Sequence, residues 1–307
     1  MTLVASLLLL MSFDQERTTA REASRPPTSK TTECHAPEGW NDLAQHNPRY
    51  VVFGELHGTR QGPEFIGNLA CALASQGERV LVAVEKSATD DPALQTAWAL
   101  PKDRFQKSLG QIGWIGRQDG VASQAMFAML VALHDLKERG LPVGIVAFNG
   151  DRDAAQSQRF ADLAGQGPHE AAQAENIVHA AQQANYDRVL ILVGNFHARK
   201  RTVDRGGVRF DPMAARLNRY GHTLALNMRY AAGTSWNCVR KAAPAVDDGK
   251  PLTDEGLDCG IHQIRGSADL GRSPFVELVA TEDRTAHDYD GFFWVGPITG
   301  SPPFAGQ

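Results

Sequence analysis

The sequence lacks the motifs of the common nucleotide-binding proteins and serine hydrolases. It contains neither G-x-x-x-x-G-K-[ST] nor G-x-G-x-x-G, the glycine loops that bind phosphate groups in P-loop proteins and Rossmann folds. It also contains no G-x-S-x-G, the turn that carries the nucleophile in α/β-hydrolases. These absences argue against a phosphate-binding glycine loop and against a Ser-His-Asp hydrolase of the usual α/β type.

The sequence also lacks a large excess of charge of one sign, and it lacks long apolar runs. The chain has 31 Lys and Arg against 35 Asp and Glu, and its nearest approach to a basic cluster is Arg199-Lys200-Arg201. Nucleic acids and anionic membranes select for clustered Lys and Arg. A membrane-spanning helix needs about 20 consecutive apolar residues. We therefore expect no nucleic-acid partner and no transmembrane span, but a small-molecule or peptide substrate; the oligomeric state stays open.

The most apolar stretch lies at residues 1–13. It is too short to span a bilayer but fits the apolar region of a secretory signal peptide, with Ala20 as a cleavage position, although no Lys or Arg precedes it. Residues 14–32 are polar and contain Pro26-Pro27, as in a linker without fixed structure. We predict a signal-like segment and linker at 1–33, a single domain at 34–307, and a periplasmic or secreted location.

Cysteine is scarce, with four residues and no C-x-x-C pair, which disfavours a zinc knuckle. An even number in an exported protein suggests disulfides. Cys238 and Cys259 bracket a loop rich in Pro, Asp and Gly and are the preferred pair. Cys34 and Cys71 pair by elimination, and a buried free thiol at Cys71 is the alternative.

Apolar runs alternate with amphipathic stretches through most of the chain. The runs that predict buried strands are 50–53, 80–84, 143–148, 189–193 and 223–228, and the stretches that predict helices are 63–74, 120–139, 170–184 and 212–219. Continuous apolar strands separated by helices indicate an α/β fold, a mostly parallel sheet with helices on both faces. After Arg229 the chain becomes rich in Gly, Pro and Asp. There we predict an irregular C-terminal extension with antiparallel edge strands at 275–280 and 292–295.

Three of the predicted strands deliver ionisable residues to their carboxyl ends. Glu55 and His57 follow the first strand, Glu85 the second, and His197 the fourth. In an open α/β sheet ligands bind beyond the carboxyl ends of the strands. A charge placed after a buried strand costs on the order of several kcal/mol unless it is paired, hydrated or bound to a metal. We therefore expect these four side chains to face one cleft.

Two imidazoles and two carboxylates suit two kinds of chemistry. Glu55, His57, Glu85 and His197 form a donor set for a divalent metal, and the same four residues are candidate catalytic groups that position a water for attack. Without a metal, a histidine held by a carboxylate acts as a general base. The structural alternatives are an N-cap or an arginine partner for Glu85, a turn anchor for Glu55, and loop-carbonyl hydrogen bonds for the histidines.

These residues resemble a superfamily that includes the ChaN-like haem-binding proteins, the Tiki proteases and the erythromycin esterases. The matching elements are Gly54-Glu55-Leu56-His57, Glu85, Gly194-Asn195-Phe196-His197 and the helix at 170–177, within about half of the chain. Glu-x-His spacing is that of the ChaN-like branch, whereas Gly58-Thr59 is esterase-like. Family helices of this type begin with Arg-Asp or Arg-Glu and carry a Met in the first turn. Here His169-Glu170 and Gln173 stand in their place, and Arg152 is a candidate for the missing arginine.

The resemblance implies a cleft formed by Glu55, His57, Glu85 and His197, and it leaves two functions open. The first is an exported hydrolase that activates water directly or through a divalent metal. The second is a non-enzymatic haem- or iron-binding protein of the ChaN-like type. A haem needs an apolar face with an axial ligand, for which Tyr50, Tyr186 and Tyr289 are candidates by residue type. A protein-interaction module that keeps these residues for structural reasons is a third reading.

Overall fold

The computed structural model describes residues 34–241, 256–280 and 287–304. The predicted signal-like segment and linker at 1–33 lie outside these ranges and stay a prediction. Within the ranges, no helix is both long and apolar enough to cross a bilayer.

Strands and helices alternate along the chain. The strands are β1 (Tyr50–Glu55), β2 (Val80–Ser87), β3 (Val143–Asn149), β4 (Arg188–Gly194), β5 (Val203–Arg205), β6 (Val208–Phe210), β7 (Thr223–Ala231), β8 (Gly233–Arg240), β9 (Leu257–Ile264), β10 (Phe275–Leu278) and β11 (Gly291–Pro297). The α-helices are α1 (Trp40–Gln45), α2 (Gln61–Ser75), α3 (Asp91–Trp98), α4 (Lys102–Leu109), α5 (Gln124–Glu138), α6 (Ala154–Phe160), α7 (Gly167–Gln183) and α8 (Met213–Leu217).

Seven of the strands form one sheet in the order β10-β11-β7-β1-β4-β2-β3. Every neighbouring pair is parallel except β10 and β11, which are antiparallel. The predicted mostly parallel α/β sheet with an antiparallel edge is confirmed. One detail differs from the expectation: β11 itself is parallel to β7, so only β10 gives the sheet its antiparallel edge.

Helices cover both faces of this sheet because its central strands are apolar on both sides. In β1, Val51 and Phe53 pack into one apolar cluster, which also contains side chains of α2 and α5. Tyr50 and Val52 point to the opposite face, where α7 and α8 pack. Side chains that alternate between two buried faces are the reason why these strands read as unbroken apolar runs.

Several regions, among them the hairpin of β5 and β6, contain more regular structure than the sequence predicts. Helices α3 and α4 lie where no helix was expected, because α4 buries only Phe105 and Leu109 and therefore shows little apolar periodicity. Strands β8 and β9 form an antiparallel hairpin in the extension that was predicted to be irregular. Helix α3 also binds backbone groups of the edge strand β3. Ala147 N–H donates to Asp91 Oδ1 (2.8 Å), and Gln95 Nε2 donates to the Ile145 carbonyl (2.8 Å).

Both predicted disulfides form, Cys238–Cys259 and Cys34–Cys71. Cys238 and Cys259 are directly opposite each other in the hairpin of β8 and β9. The first disulfide therefore ties the two strands of this hairpin together. The second joins the start of the described chain to α2, where Cys71 lies on the buried face.

Candidate active site

The site lies at the carboxyl ends of three adjacent strands, β1, β4 and β2. Glu55 is the last residue of β1, and Gly194, its partner in the register, is the last residue of β4. Glu85 lies near the end of β2, where the register with β3 shifts. Because β4 pairs with β1 on one side and with β2 on the other, all three strand ends meet at one place.

Four predicted residues and a fifth, Glu170 of α7, form a continuous array of carboxylates and imidazoles. His57 donates from Nδ1 to Glu55 Oε1 (2.9 Å), and its Nε2 lies 3.2 Å from Glu85 Oε2. His197 Nε2 lies 3.8 Å from Glu85 Oε1, and His197 Nδ1 donates to Glu170 Oε1 (2.7 Å). The order is therefore Glu55, His57, Glu85, His197, Glu170, with Glu85 between the two imidazoles.

Glycines lie next to the array at two positions where a larger residue would clash with it. Gly194 N–H donates to Glu85 Oε2 (2.7 Å), and a Cβ at this glycine would lie only 2.7 Å from His57 Nε2. A Cβ at Gly62, in the first turn of α2, would collide with Glu55 Oε2. Helix N-termini favour nearby negative charge, so the first turn of α2 is a suitable neighbour for this carboxylate. Both glycines therefore leave room for a charged side chain of the site.

Glu170 is the member of the array that the sequence did not single out. It is fully buried, and its second oxygen, Oε2, accepts a hydrogen bond from Met213 N–H at the start of α8 (2.8 Å). Glu170 shares the buried face of α7 with Gln173 and Ile177, at helical spacing. An acidic residue on an otherwise buried helical face was the available signal, because buried carboxylates require a partner.

Burial and the neighbouring charges act in opposite directions on the two histidines. Burial disfavours the imidazolium of His57, but the Glu85 charge and the hydrogen bonds to Glu55 and Glu85 outweigh it and raise its pKa well above the usual 6.5. Burial of His197 is likewise outweighed, mainly by the hydrogen bond to Glu170, so its pKa is also raised. Both imidazoles are therefore held preferentially in the protonated form.

The two carboxylates next to His57 are affected differently. Burial works against the charge of Glu85, but the positive charge and hydrogen bond of His57, together with His197, lower its pKa to about 2. Burial raises the pKa of Glu55, and the hydrogen bond from His57 offsets this only in part. Oε2 of Glu55 is buried and has no hydrogen-bond partner in the described part of the chain, which is consistent with weak stabilisation of its charge.

A cleft of about 460 Å³ opens beside the array. Glu55, His57 and His197 line it together with a further carboxylate, Asp119, and with apolar and amide side chains: Leu56, Gln118, Asn195, Phe196, Trp236 and Asn237. The β8–β9 hairpin forms one wall, because Trp236 N–H donates to the Gly58 carbonyl and its indole Nε1 donates to the Gln118 carbonyl, each at 2.8 Å. Cys238 also lines the cleft, so the disulfide lies in this wall.

Metal binding by Glu55, His57, Glu85 and His197 stays a prediction. Within the residues that the structure describes, no group of three or more His, Cys, Asp or Glu side chains is arranged to hold an ion. The Nε2 atoms of both histidines face the Glu85 carboxylate, and their Nδ1 atoms bind Glu55 and Glu170. The imidazole nitrogens are thus turned towards carboxylates of the protein.

Two further expectations concern residues outside the array. Tyr50 is buried in the core, so it does not fit the predicted role of an axial haem ligand, whereas Tyr186 and Tyr289 are partly exposed. Arg152, the candidate for the missing arginine, lies 3.3 Å from Glu175 and also binds Asn176 on α7. In the described contacts it therefore belongs to a separate ion pair.

No protein-family model matches this chain, and no curated protein sequence matches it. Solved structures do. A succinoglycan biosynthesis protein aligns with a TM-score of 0.57 at 11% identity, over 90% of this chain and 95% of the other. A mutant of the erythromycin esterase EreC in its open conformation aligns with a TM-score of 0.53 at 11% identity, over 86% and 94%. The haem-binding ChaN of Campylobacter jejuni aligns with a TM-score of 0.40 at 13% identity, over 62% and 86%.

This chain shares its fold with the succinoglycan biosynthesis protein and with the erythromycin esterase. The first two structures carry this conclusion, since both extend over nearly the whole length of the chain. The ChaN alignment adds nothing to it at its lower score. At 11% identity a shared fold does not establish a shared function, so the function has to be argued from the chemistry of the site.

Proposed function

We propose that this protein is an exported hydrolase that cleaves an ester, with His197 as the general base. The observation that carries the proposal is the difference between the two imidazoles. Both nitrogens of His57 contact carboxylates, at 2.9 and 3.2 Å, whereas His197 Nε2 lies 3.8 Å from Glu85 Oε1, beyond hydrogen-bond distance. Nε2 of His197 is therefore the nitrogen that can accept a proton from a water molecule in the cleft.

The proposed reaction follows from this assignment. His197 Nε2 takes a proton from water as the oxygen attacks the ester carbonyl carbon, and the resulting imidazolium returns the proton to the departing alkoxide when the C–O bond breaks. Glu170 holds Nδ1 and stabilises the positive charge that forms on His197. Glu55, Glu85 and His57 are positioning residues, since they set the charge and orientation around His197 rather than react themselves.

The raised pKa of His197 has a direct consequence for this mechanism. A general base must be unprotonated, and burial is outweighed here by the Glu170 hydrogen bond, so the active form is the minor one below the raised pKa. The rate should therefore rise with pH and level off only above the pKa of His197. A divalent metal is not needed for this proton transfer, and metal content of the purified protein tests that alternative separately.

The test is the turnover of 4-nitrophenyl acetate and 4-nitrophenyl butyrate by the wild type and by His197→Ala. We expect the variant to lose a factor of roughly 10² to 10⁴ in kcat, the usual contribution of a general base. His179→Ala is the matched control, because His179 lies on α7 and lines a different cavity. Wild-type turnover by His197→Ala, or no turnover of either ester by the wild type above the buffer rate, would contradict the proposal.

Haem binding is the second candidate function, and one observation favours it. His179 and Tyr186 both line a second cavity of about 440 Å³, between α3 and α7, and both residue types ligate haem iron. Titration of the purified protein with hemin tests this candidate. A Soret shift that is lost in Tyr186→Phe supports it, and an unshifted Soret band excludes it.

The proposal also includes export of the protein. Two disulfides in one chain suit an oxidising compartment, and the predicted signal-like segment at 1–33 would direct the chain there. Fractionation of cells that express the full chain tests it: we expect a shortened protein with both disulfides outside the cytoplasm.

A further inference from the structure

Arg205 lies against an aromatic ring in the wall of the cleft. Phe196 lines the cleft, and its ring meets that of His197 edge to face, with centroids 5.5 Å apart and an interplanar angle of 84°. The guanidinium of Arg205 lies over the same phenyl ring, 4.5 Å from its centroid. Only one aromatic side chain therefore separates this exposed cation from the proposed general base.

The hairpin of β5 and β6 determines which side chains face Phe196. Val203 pairs with Phe210, Asp204 with Arg209, and Arg205 with Val208. Because side chains alternate along a strand, Arg205 shares its face with Phe210, whose ring lies 6.1 Å from that of Phe196. Asp204 and Arg209 lie on the opposite face. The hairpin thus presents Arg205, but not Arg209, to the ring of Phe196.

The charge of Arg205 is not balanced by a carboxylate in the way that neighbouring arginines are. Arg199 is paired with Asp288 (3.1 Å), and Arg117 with Asp119 (2.8 Å). Among residues 34–241, 256–280 and 287–304, no carboxylate oxygen lies within 4.0 Å of the Arg205 guanidinium. A guanidinium stacked on a ring keeps the N–H groups at its edge free, and these match the oxygens of a carboxylate or phosphate.

Part of the cleft lining beside the array is apolar, and the one further carboxylate there, Asp119, is paired with Arg117. Leu56, Phe196 and Trp236 line the cleft beside His197. The array itself contains three carboxylates against two imidazoles, so its own charge does not attract an anion. A ligand that used both regions would place an apolar group near His197 and a negative charge outside, beside Phe196.

We propose that the cleft binds an amphipathic organic anion, with its apolar part between Phe196 and Trp236 and its carboxylate, sulfate or phosphate group on Arg205. The inference deepens the proposed function, because it names the substrate class of the same cleft. Binding does not require turnover, however, so it can be measured separately from hydrolysis.

The experiment is calorimetric titration with 4-phenylbutyrate and with its neutral counterpart, 4-phenylbutyramide. The wild type should bind the anion about fivefold more tightly than the amide, which corresponds to about 1 kcal/mol for a solvent-exposed ion pair. Arg205→Ala should lose this preference. Arg205→Lys, which keeps the charge but not the planar group, should retain part of it.

Arg209→Ala is the matched control, since Arg209 belongs to the same hairpin but lies on its other face. We expect it to keep the wild-type preference. Equal binding of the two ligands by the wild type, no binding of either at millimolar concentration, or an unchanged preference in Arg205→Ala would overturn the inference. A protein that prefers the anion but hydrolyses no ester would keep the inference and contradict the proposed function.

Discussion

Glu170 Oε1 lies 2.7 Å from Nδ1 of His197, and Glu170 is fully buried. This hydrogen bond fixes which nitrogen of His197 faces the cleft and stabilises its positive charge. It is therefore the contact through which α7 controls the proposed general base.

Replacement of Glu170 by Gln should change both the rate and its pH dependence. The loss of the negative charge lowers the pKa of His197, so the rate should level off at a lower pH than in the wild type, while kcat falls by about 10²-fold or more. The pH–rate profile and an NMR titration of His197 measure these effects. Glu175→Gln is the control, because Glu175 lies on the same helix but pairs with Arg159 (2.7 Å). A lower rate with an unchanged pH profile would show that Glu170 has only a structural role.

Stability should depend on pH in opposite ways for the histidines and for Glu85. The pKa values of His57 and His197 are raised by their carboxylate partners against burial, so their stabilisation is complete below pH 6.5 and is lost as pH rises through the raised values. Against burial, His57 lowers the pKa of Glu85 from 4.5 to about 2, so that contribution is present above pH 4.5 and is lost as pH falls towards 2.

Urea unfolding at a series of pH values measures this dependence. The contribution of Glu55 to stability changes with pH in the opposite direction to that of Glu85. Burial raises the pKa of Glu55, so its contribution declines as pH rises through that pKa, as the contributions of the histidines do. We expect the free energy of unfolding to decrease on the alkaline side of pH 6.5 and to decrease less in His57→Gln, which cannot carry the charge. An identical alkaline slope in the two proteins would show that His57 is not responsible.

Replacement of Gly62 by Ala should damage the site without breaking α2. The added methyl group would collide with Glu55 Oε2, so the carboxylate must move and its hydrogen bond to His57 must lengthen. We expect a loss of ester turnover and a lower pKa of His57. Gly67→Ala in the same helix is the matched control, because its nearest new contact is Met129 at 3.4 Å. It should keep full activity and gain at most about 1 kcal/mol from the better helix former.

The two disulfides should differ in what their removal affects. Cys238→Ser with Cys259→Ser frees the hairpin that walls the cleft, so KM should rise more than kcat falls. Cys34→Ser with Cys71→Ser removes a crosslink that does not line the cleft and should leave KM unchanged. Each bond closes a loop, of 21 or 37 residues in sequence separation, and its loss should cost about 3 kcal/mol of stability. Equal KM values in the two double variants would show that the hairpin does not contribute to substrate binding.

The central site was predictable because strands and their carboxyl ends are local features of the sequence. Apolar runs end at Glu55, Glu85 and Gly194, and parallel strands bring such ends to one edge of the sheet. The disulfide Cys238–Cys259 was predictable for a similar reason, since it closes a short segment.

Glu170 could not be found in this way, because its role depends on the packing of α7 beneath the turn that carries His197. Its sequence neighbourhood shows only a helix with an acidic residue on the buried face. Nor does the sequence predict the raised pKa values, which arise from the distances between His57, His197 and their carboxylates in the folded chain. The sequence predicts a histidine general base held by a carboxylate, and the array of alternating charges raises the pKa of that histidine above its usual value.

The place of β4 between β1 and β2 has a consequence for folding. Glu85 is far in sequence from both His57 and His197, so its contacts with the two imidazoles require long loops to close before these charges meet. A partly folded chain that lacks either strand pair would leave buried acids without counter-charges. Catalytic competence should therefore appear only with the last cooperative step of folding, and recovery of activity would report on completion of the central sheet.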